Sequence, residues 1–308
     1  MVNSRMRRPI IILILAAFSC LGGRTLHAQD LDPRAYANVP VDMTILVGGF
    51  SYSDGSVVTD PTAPIQNLQA VMRGITIGVG HTFSLFGQTA QVLVSQTYVW
   101  GLASGTIFGT DSYGEKGGLG DVRVRLSTLF IGAPATEAKD FKPHLRTTVV
   151  GASLMVQAPT GLYQPEKIIN IGNNRWALKP ELAISQPVGE HVLLDVYGGV
   201  WFFTSNDAFY PGTSERKQST MPVVQAHLSY NVQPTMWVAF DATYYVGGRS
   251  TVNGVLLPDE QNNVRVGGTL VVPVFKGNSV KLAASTGAIV RGGANFTTLS
   301  LAWQTTFF

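Results

Sequence analysis

Cysteine is almost absent from this chain of 308 residues: one, Cys20, stands near the N-terminus. Past that point neither a disulfide nor a thiolate metal site can form. Charge is scarce too, at 13% of residues against the roughly 25% usual in soluble domains. After residue 28 no apolar run approaches the roughly 20 residues a membrane helix needs, which excludes a helical membrane bundle. Beyond that residue the histidines are His81, His144, His191 and His227, no two of them at ligand spacing for a metal. No G-x-S-x-G motif appears. What the chain does have is glycine, 33 residues of it, and aromatic side chains at 10%. Little charge, much glycine and no membrane helix fit a protein built from strands.

The first stretch, "MVNSRMRRPIIILILAAFSCLGGRTLHAQD", carries Arg5, Arg7 and Arg8, an apolar run from Pro9 to Phe18, and then small residues. That is the layout of a secretory signal peptide over residues 1–28, cut after Ala28. The competing reading, lipidation at Cys20, is weakened because "AFSC" lacks the Leu such sites carry three residues before the cysteine. Removing residues 1–28 takes away four arginines and no acid, so the formal charge of +3 becomes −1. The basic character belongs to the leader, and with it goes the case for nucleic acid, which needs a clustered basic face.

Twelve alternating segments follow, near 42–53, 69–83, 89–100, 119–131, 144–157, 175–187, 191–204, 221–231, 235–247, 261–274, 279–290 and 295–307. Their links alternate in length. "SLFGQ", "PVGEH", "NVQPT" and "FKGNS" are tight, whereas "GLASGTIFGTDSYGEKGG", "PTGLYQPEKIINIGNN" and "SNDAFYPGTSERKQS" are long. The fourth link, "GAPATEAKDFKP", and the eleventh, "GGA", depart from this rhythm. The expected fold is all-β: a transmembrane up-and-down antiparallel barrel of about 12 strands over 42–308, with short periplasmic turns and longer external loops. A Greek-key sandwich gives no reason for such alternation. "GEKGGLGD", "TDPTAP" and "YPGTSERK" read as solvated external loops.

Within each segment the polar residues keep one phase. In "GDVRVRLST", Asp121, Arg123, Arg125 and Ser127 alternate with Val122, Val124 and Leu126; in "NRWALKPELAIS", Arg175, Lys179, Glu181 and Ser185 alternate with Trp176, Leu178, Leu182 and Ile184. The polar phase predicts a lumen lined by Arg123, Arg125, Arg146, Lys179, Glu181, Asp195, His227, Asp241, Arg265 and Lys281. Aromatic residues gather at segment ends. Trp100, Trp176, Trp201, Tyr244 and Tyr245 lie beside long loops, and Trp237 and Phe307 beside short turns or the C-terminus, which predicts two interfacial girdles. The last segment runs Leu299, Leu301, Trp303, Phe307 on one face and ends at Phe308. A closing strand whose outward side lies in lipid would end so, and the assembly machinery of the outer membrane is its expected partner.

Several stretches resemble a known family. "DLDPRAYANVPVDMTILVGGFSYSDGSV", "NNRWALKPELAISQPVGEHVLLDVYGGVWFFTSND", "AHLSYNVQPTMWVAFDATYYVGGRSTVNG" and "LSLAWQTTFF" are similar to the MetA-pathway of phenol degradation family. The resemblance implies an outer-membrane protein of Gram-negative bacteria associated with degradation of aromatic compounds, and it supplies no catalytic residues.

The functional expectation is an outer-membrane channel for passive passage of small molecules, aromatic or otherwise hydrophobic, without cofactor or energy source. A closed structural or adhesive barrel is the alternative, and an outer-membrane enzyme a further one. Lumen charges of both signs read first as pairs that rigidify the barrel, second as a basic constriction favouring small anions such as carboxylated aromatics. The segment 29–41, "QDLDPRAYANVPV", reads first as a periplasmic tether and second as a lumen plug with Tyr36 inside. For an enzyme the nearest candidate pair is His227 with Asp241. Counting through "NVQP" sets them two to four residues out of register, roughly 7 Å or more apart at about 3.4 Å per residue, which argues against a dyad.

Overall fold

The computed structural model describes residues 31–58, 65–107, 110–141, 147–167, 169–233 and 235–308. The signal peptide and "TDPTAP" lie outside them, as do Arg146 and His144. The described chain forms strands β1 (Thr44–Val58), β2 (Ile65–Leu85), β3 (Gln88–Ile107), β4 (Thr110–Leu119), β5 (Arg123–Ile131), β6 (Val149–Gln157), β7 (Ala177–Val188) and β8 (Val192–Phe203). It continues with β9 (Asn206–Phe209), β10 (Ser214–Gln218), β11 (Met221–Gln233), β12 (Met236–Gly247), β13 (Ser250–Val252), β14 (Val255–Leu256), β15 (Gln261–Phe275), β16 (Asn278–Ile289) and β17 (Gly293–Phe307).

Thirteen of these strands make one antiparallel sheet that closes on itself: β1 pairs with β2 on one side and with β17 on the other. The β1–β17 seam runs from Thr44 opposite Phe307 to Val58 opposite Gly293. The last strand is therefore paired along its whole length, as a wall without a free edge requires. β4 and β5 both pair with β3, β5 with its first half and β4 with its second. They act as one stave interrupted at residues 120–122, which gives a closed barrel of 12 staves. The loop after β6 meets the wall at that break, where the Leu162 amide donates to the Leu119 carbonyl.

Side-chain alternation sets the two faces. Leu182, Ile184, Val224, Leu228 and Phe240 project outward and are at least half exposed, an apolar outer surface that a bilayer would cover. Their neighbours in sequence, Ala183, Ser185, Val223, His227, Ala239 and Asp241, point inward and are buried. The tight links lie at the end where the N-terminal segment enters. In the first of them Phe86 and Gly87 both take positive φ, 51° and 76°, the two-residue turn whose twist matches that of its strands.

At the opposite end two of the long links zip together, which the alternation pattern did not disclose. β10, from the β8–β11 link, pairs with β13, from the β12–β15 link, in a second sheet ordered β14-β13-β10-β9. "YPGTSERK" thus contains a strand rather than a plain loop tip. "GEKGGLGD" likewise falls largely in β4, whose residues extend the β3 ladder as far as Thr110 opposite Ile107.

Candidate functional site

The lumen is polar, but unevenly so. Along β1 to β3 its lining is small, with Gly49, Ser51, Gly78, Thr76 and Thr97 facing inward; Thr76 and Thr97 stand opposite each other and share a hydrogen bond of 2.9 Å. From β5 to β16 the lining carries Arg125, Lys179, Glu181, Asp195, His227, Asp241, Arg265 and Lys281. A single chain segment, residues 31–41, leans against that charged wall.

Tyr36 is the centre of the contact. Only 1% exposed, it donates from its hydroxyl to Glu181 Oε1 at 3.0 Å and shares a 2.7 Å hydrogen bond with Ser153 Oγ. Its ring meets Tyr197 edge-on at 4.9 Å and lies beneath the Arg125 guanidinium at 4.7 Å. Leu129, Ala133, Val149 and Ala183 complete an apolar collar around it. Gly151 makes room: a Cβ there would stand 2.9 Å from Tyr36 Cδ1 and 2.9 Å from the Thr128 carbonyl oxygen.

On one side of Tyr36 the backbone amide of Arg34 donates to Asp195 Oδ2 at 3.3 Å, and its guanidinium lies 4.5 Å from the Trp237 ring. Asp32 pairs with Lys281 at 2.8 Å and Arg125 at 3.6 Å. On the other side Val41 and Asp42 donate from their amides to the carbonyls of Thr136 and Thr82 at the rim. Residues 32–36 thus lie against inward-facing side chains of β5, β6, β7, β8 and β16.

The acids in this zone each have a partner. Glu181 receives Lys179 at 2.7 Å, Arg125 at 3.6 Å and the Gln225 amide at 3.3 Å. Asp195 is bonded to Ser185. Arg265 donates to Ser285 Oγ and to the Phe296 carbonyl, at 3.1 and 2.7 Å. His227 and Asp241 correct an expectation: they stand directly opposite across β11 and β12, with Nδ1 2.7 Å from Oδ1. A bulge between Asn231 and Gln233 restores the register that counting through the turn misplaces. Thr269 adds a bond to Asp241 Oδ2 at 2.8 Å. Among the described residues His227 Nε2 has no hydrogen-bond partner, so no hydroxyl stands on the imidazole as a nucleophile would.

Three predicted girdle residues also face inward. Trp201 lies under Lys179 at 5.6 Å and stacks with Phe203; Trp237 carries Arg34; Tyr245 is 2% exposed and accepts from Asn263 Nδ2 at 3.2 Å. Parity is the reason, since Trp201 shares the phase of Asp195, and Trp237 and Tyr245 share that of Asp241. Trp176, Tyr244 and Phe307 are exposed, and Trp100 sits on the outer face with Phe50 and Tyr98, its ring 6.3 and 6.1 Å from theirs.

Toward the loop end the lumen opens into a chamber of about 190 Å³. Arg123, Arg175 and Lys179 line it together with Trp201, Phe203, Met221 and Val223. Phe203 lies outside the predicted lumen set, whereas Arg175 belongs to the inward polar phase read together with Lys179. Among the described residues no three His, Cys, Asp or Glu side chains cluster as metal ligands.

No curated protein matches this chain by sequence. The fold is shared with the crystal structure of an outer membrane channel from Pseudomonas putida F1, at 19% identity and a TM-score of 0.76, over 90% of this chain and 100% of that one. It is also similar to the beta domain of the Bordetella autotransporter BrkA, at 10% identity and a TM-score of 0.50, over 86% and 100% of the two chains. Sequence makes the tighter connection: a family model matches residues 48–303, nearly the whole described barrel, and the chain belongs to the family described as "Putative MetA-pathway of phenol degradation".

Proposed function

We propose that this protein is an outer-membrane channel for passive passage of small molecules, and that residues 31–41 close its lumen until they move. The observation that carries this reading is how the segment is held. Between Asp32 and Tyr36 its bonds to the wall run to side chains, through ion pairs, hydrogen bonds and ring contacts, not through a continued β-ladder. Contacts of that kind can be exchanged for water one at a time, whereas a wall strand cannot leave without opening the barrel. The wall around the segment is polar, as a water-filled path requires. Membership of the family and the barrel shared with an outer membrane channel support the same assignment.

The solute class we assign is aromatic or other hydrophobic compounds, on the strength of the family's description. We place the barrel in the bilayer of the outer membrane, a reading its apolar outer face supports, and we propose export by the leader of residues 1–28 and insertion through the C-terminal strand. No catalysis is assigned to the buried His227–Asp241 pair.

Single-channel recording in planar bilayers tests the reading, with the mature chain and a variant lacking residues 31–41. The deletion is expected to convert rare or small openings into stable steps of several-fold larger conductance. Silence from both forms would overturn the channel assignment in favour of a closed structural barrel.

A further inference from the structure

The chamber at the loop end differs in chemistry from the zone that Tyr36 fills. Arg175 is 9% exposed, and its Nη1 has no hydrogen-bond partner among the described residues. Its Nη2 is bonded to Gln218, and its guanidinium lies 4.5 Å from the Phe203 ring. Burial and the nearby Arg216 guanidinium hold Arg175 down to about 10, against a weaker pull from Asp121; it remains cationic at neutral pH. Asp121 does not neutralise it by contact, because its carboxylate accepts instead from Gln157, from the amides of Gly161 and Asn173, and from the Asn173 side chain. Two further buried atoms of the lining, Gln225 Oε1 and Thr243 Oγ1, also have no partner among the described residues.

A buried guanidinium that lines a cavity beside a second arginine, with no carboxylate in contact among the described residues, is a site that an anion would complete. The rest of the wall says which anion. Trp201 and Phe203 stack at 6.2 Å with 10° between their planes, and Ala177, Met221 and Val223 add aliphatic surface. A strongly hydrated inorganic anion would lose water there without replacement. At about 190 Å³ the chamber falls below the roughly 300–1,000 Å³ of drug-sized pockets, which limits the ligand to a single ring.

Building on the channel assignment, we propose that this chamber is a binding site for a single-ring aromatic carboxylate, its carboxylate on Arg175 and its ring among Trp201, Phe203 and Met221. The site is linked to the inserted segment through two residues, Lys179 and Glu181. Lys179 lines the chamber and is also the ion-pair partner of Glu181, which accepts from Tyr36.

Isothermal titration of the detergent-folded mature chain with benzoate, acetate and benzyl alcohol tests the proposal. Benzoate is expected to saturate, with acetate and benzyl alcohol each at least ten-fold weaker because one lacks the ring and the other the charge. Arg175→Gln is expected to weaken benzoate about ten-fold or more, and Phe203→Leu by a few-fold. Equal binding of benzoate and benzyl alcohol, or no saturable benzoate heat, overturns the site with the unmodified chain alone, whether or not a variant folds. Undiminished benzoate binding by folded Arg175→Gln overturns it as well. The two proposals fail separately. A conducting chain lacking 31–41 whose intact form gives no benzoate heat loses the site and keeps the channel; benzoate heat from a chain that never conducts does the reverse.

Discussion

Two levels of the same lumen treat charge in opposite ways. At mid-depth Glu181, Asp195, Asp241 and Asp32 each have a partner, and the inserted segment supplies part of the balance through Asp32, Arg34 and Tyr36. In the chamber above, Arg175 is buried against a ring with another arginine nearby and, among the described residues, no carboxylate in contact. A paired interior is a structural solution, because each acid replaces its lost water with a counter-charge or a hydrogen-bond donor. An unpaired one is a cost that folding alone does not repay, and it becomes useful only when something else supplies the missing charge.

Replacing one charge at each level separates the two cases most strongly. Glu181→Gln removes the acid that Lys179 meets at 2.7 Å and puts a neutral amide in its place, while Arg125 keeps only Asp32, at 3.6 Å, of the two acids it meets. Breaking a buried ion pair from one side costs about 3–5 kcal/mol. The expected readout is a clear fall in the temperature at which the folded band is lost on gel electrophoresis. Arg175→Gln removes a buried cation that lacks a carboxylate contact, so it is expected to cost less than about 1 kcal/mol even with the Phe203 contact gone. Equal losses from both substitutions would show that the chamber is as balanced as the level below it.

The wall was legible because lipid on one side and a polar lumen on the other impose period two on every stave. The twelve segments read from alternation reappear as the wall staves, the third and fourth reaching seven and nine residues into what reads as a long loop, and the last three, 261–275, 278–289 and 293–307, hardly shifted. The same parity contained more than was drawn from it. Position near a loop suggested a girdle for Trp201, Trp237 and Tyr245, yet each is an even number of residues from an inward acid, and orientation overrode position. β10 and β13 were illegible for a different reason. They are polar strands outside the bilayer, paired between links about 35 residues apart, Lys217 with Thr251, so neither alternation nor a hairpin turn announces them. "DPRAYANV" left tether and plug open because its outcome depends on Ser153, Glu181 and Asp195, which only the closed barrel brings to Tyr36 and Arg34.

A smaller effect is expected where the segment contributes hydrogen bonds without charge. Tyr36→Phe keeps the ring against Tyr197 and under Arg125 and removes only the hydroxyl. Ser153 and Glu181 Oε1 then lose a buried partner, which costs about 1–3 kcal/mol. That cost falls on the closed arrangement alone, because water can reach the same groups once the segment has left. The measurable outcome is a rise in the open fraction of single channels by roughly ten-fold or more, since about 1.4 kcal/mol corresponds to ten-fold, with little change in the size of each step. A change in step size without a change in open fraction would place Tyr36 in the wall of the pore, not in its stopper.

The least effect is expected from Asp32→Asn, although it breaks two ion pairs at once. The Asp32 side chain is 46% exposed and that of Lys281 29%, so water already screens both partners, and pairs of this kind contribute about 0.2–1 kcal/mol. Neither cation is stranded by the change: Lys281 is partly exposed, and Arg125 keeps Glu181 and the Tyr36 ring. The open fraction should rise no more than about five-fold in low salt, and the difference from the unmodified chain should shrink in high salt as the Debye length falls to about 3 Å at 1 M. Tyr36→Phe, which removes no charge, should keep its effect in the same high salt. If Asp32→Asn instead matched it in size and resisted salt, the hold on the segment would lie at its outer end among the ions, and the paired zone would have to be drawn around Asp32 instead of around Tyr36.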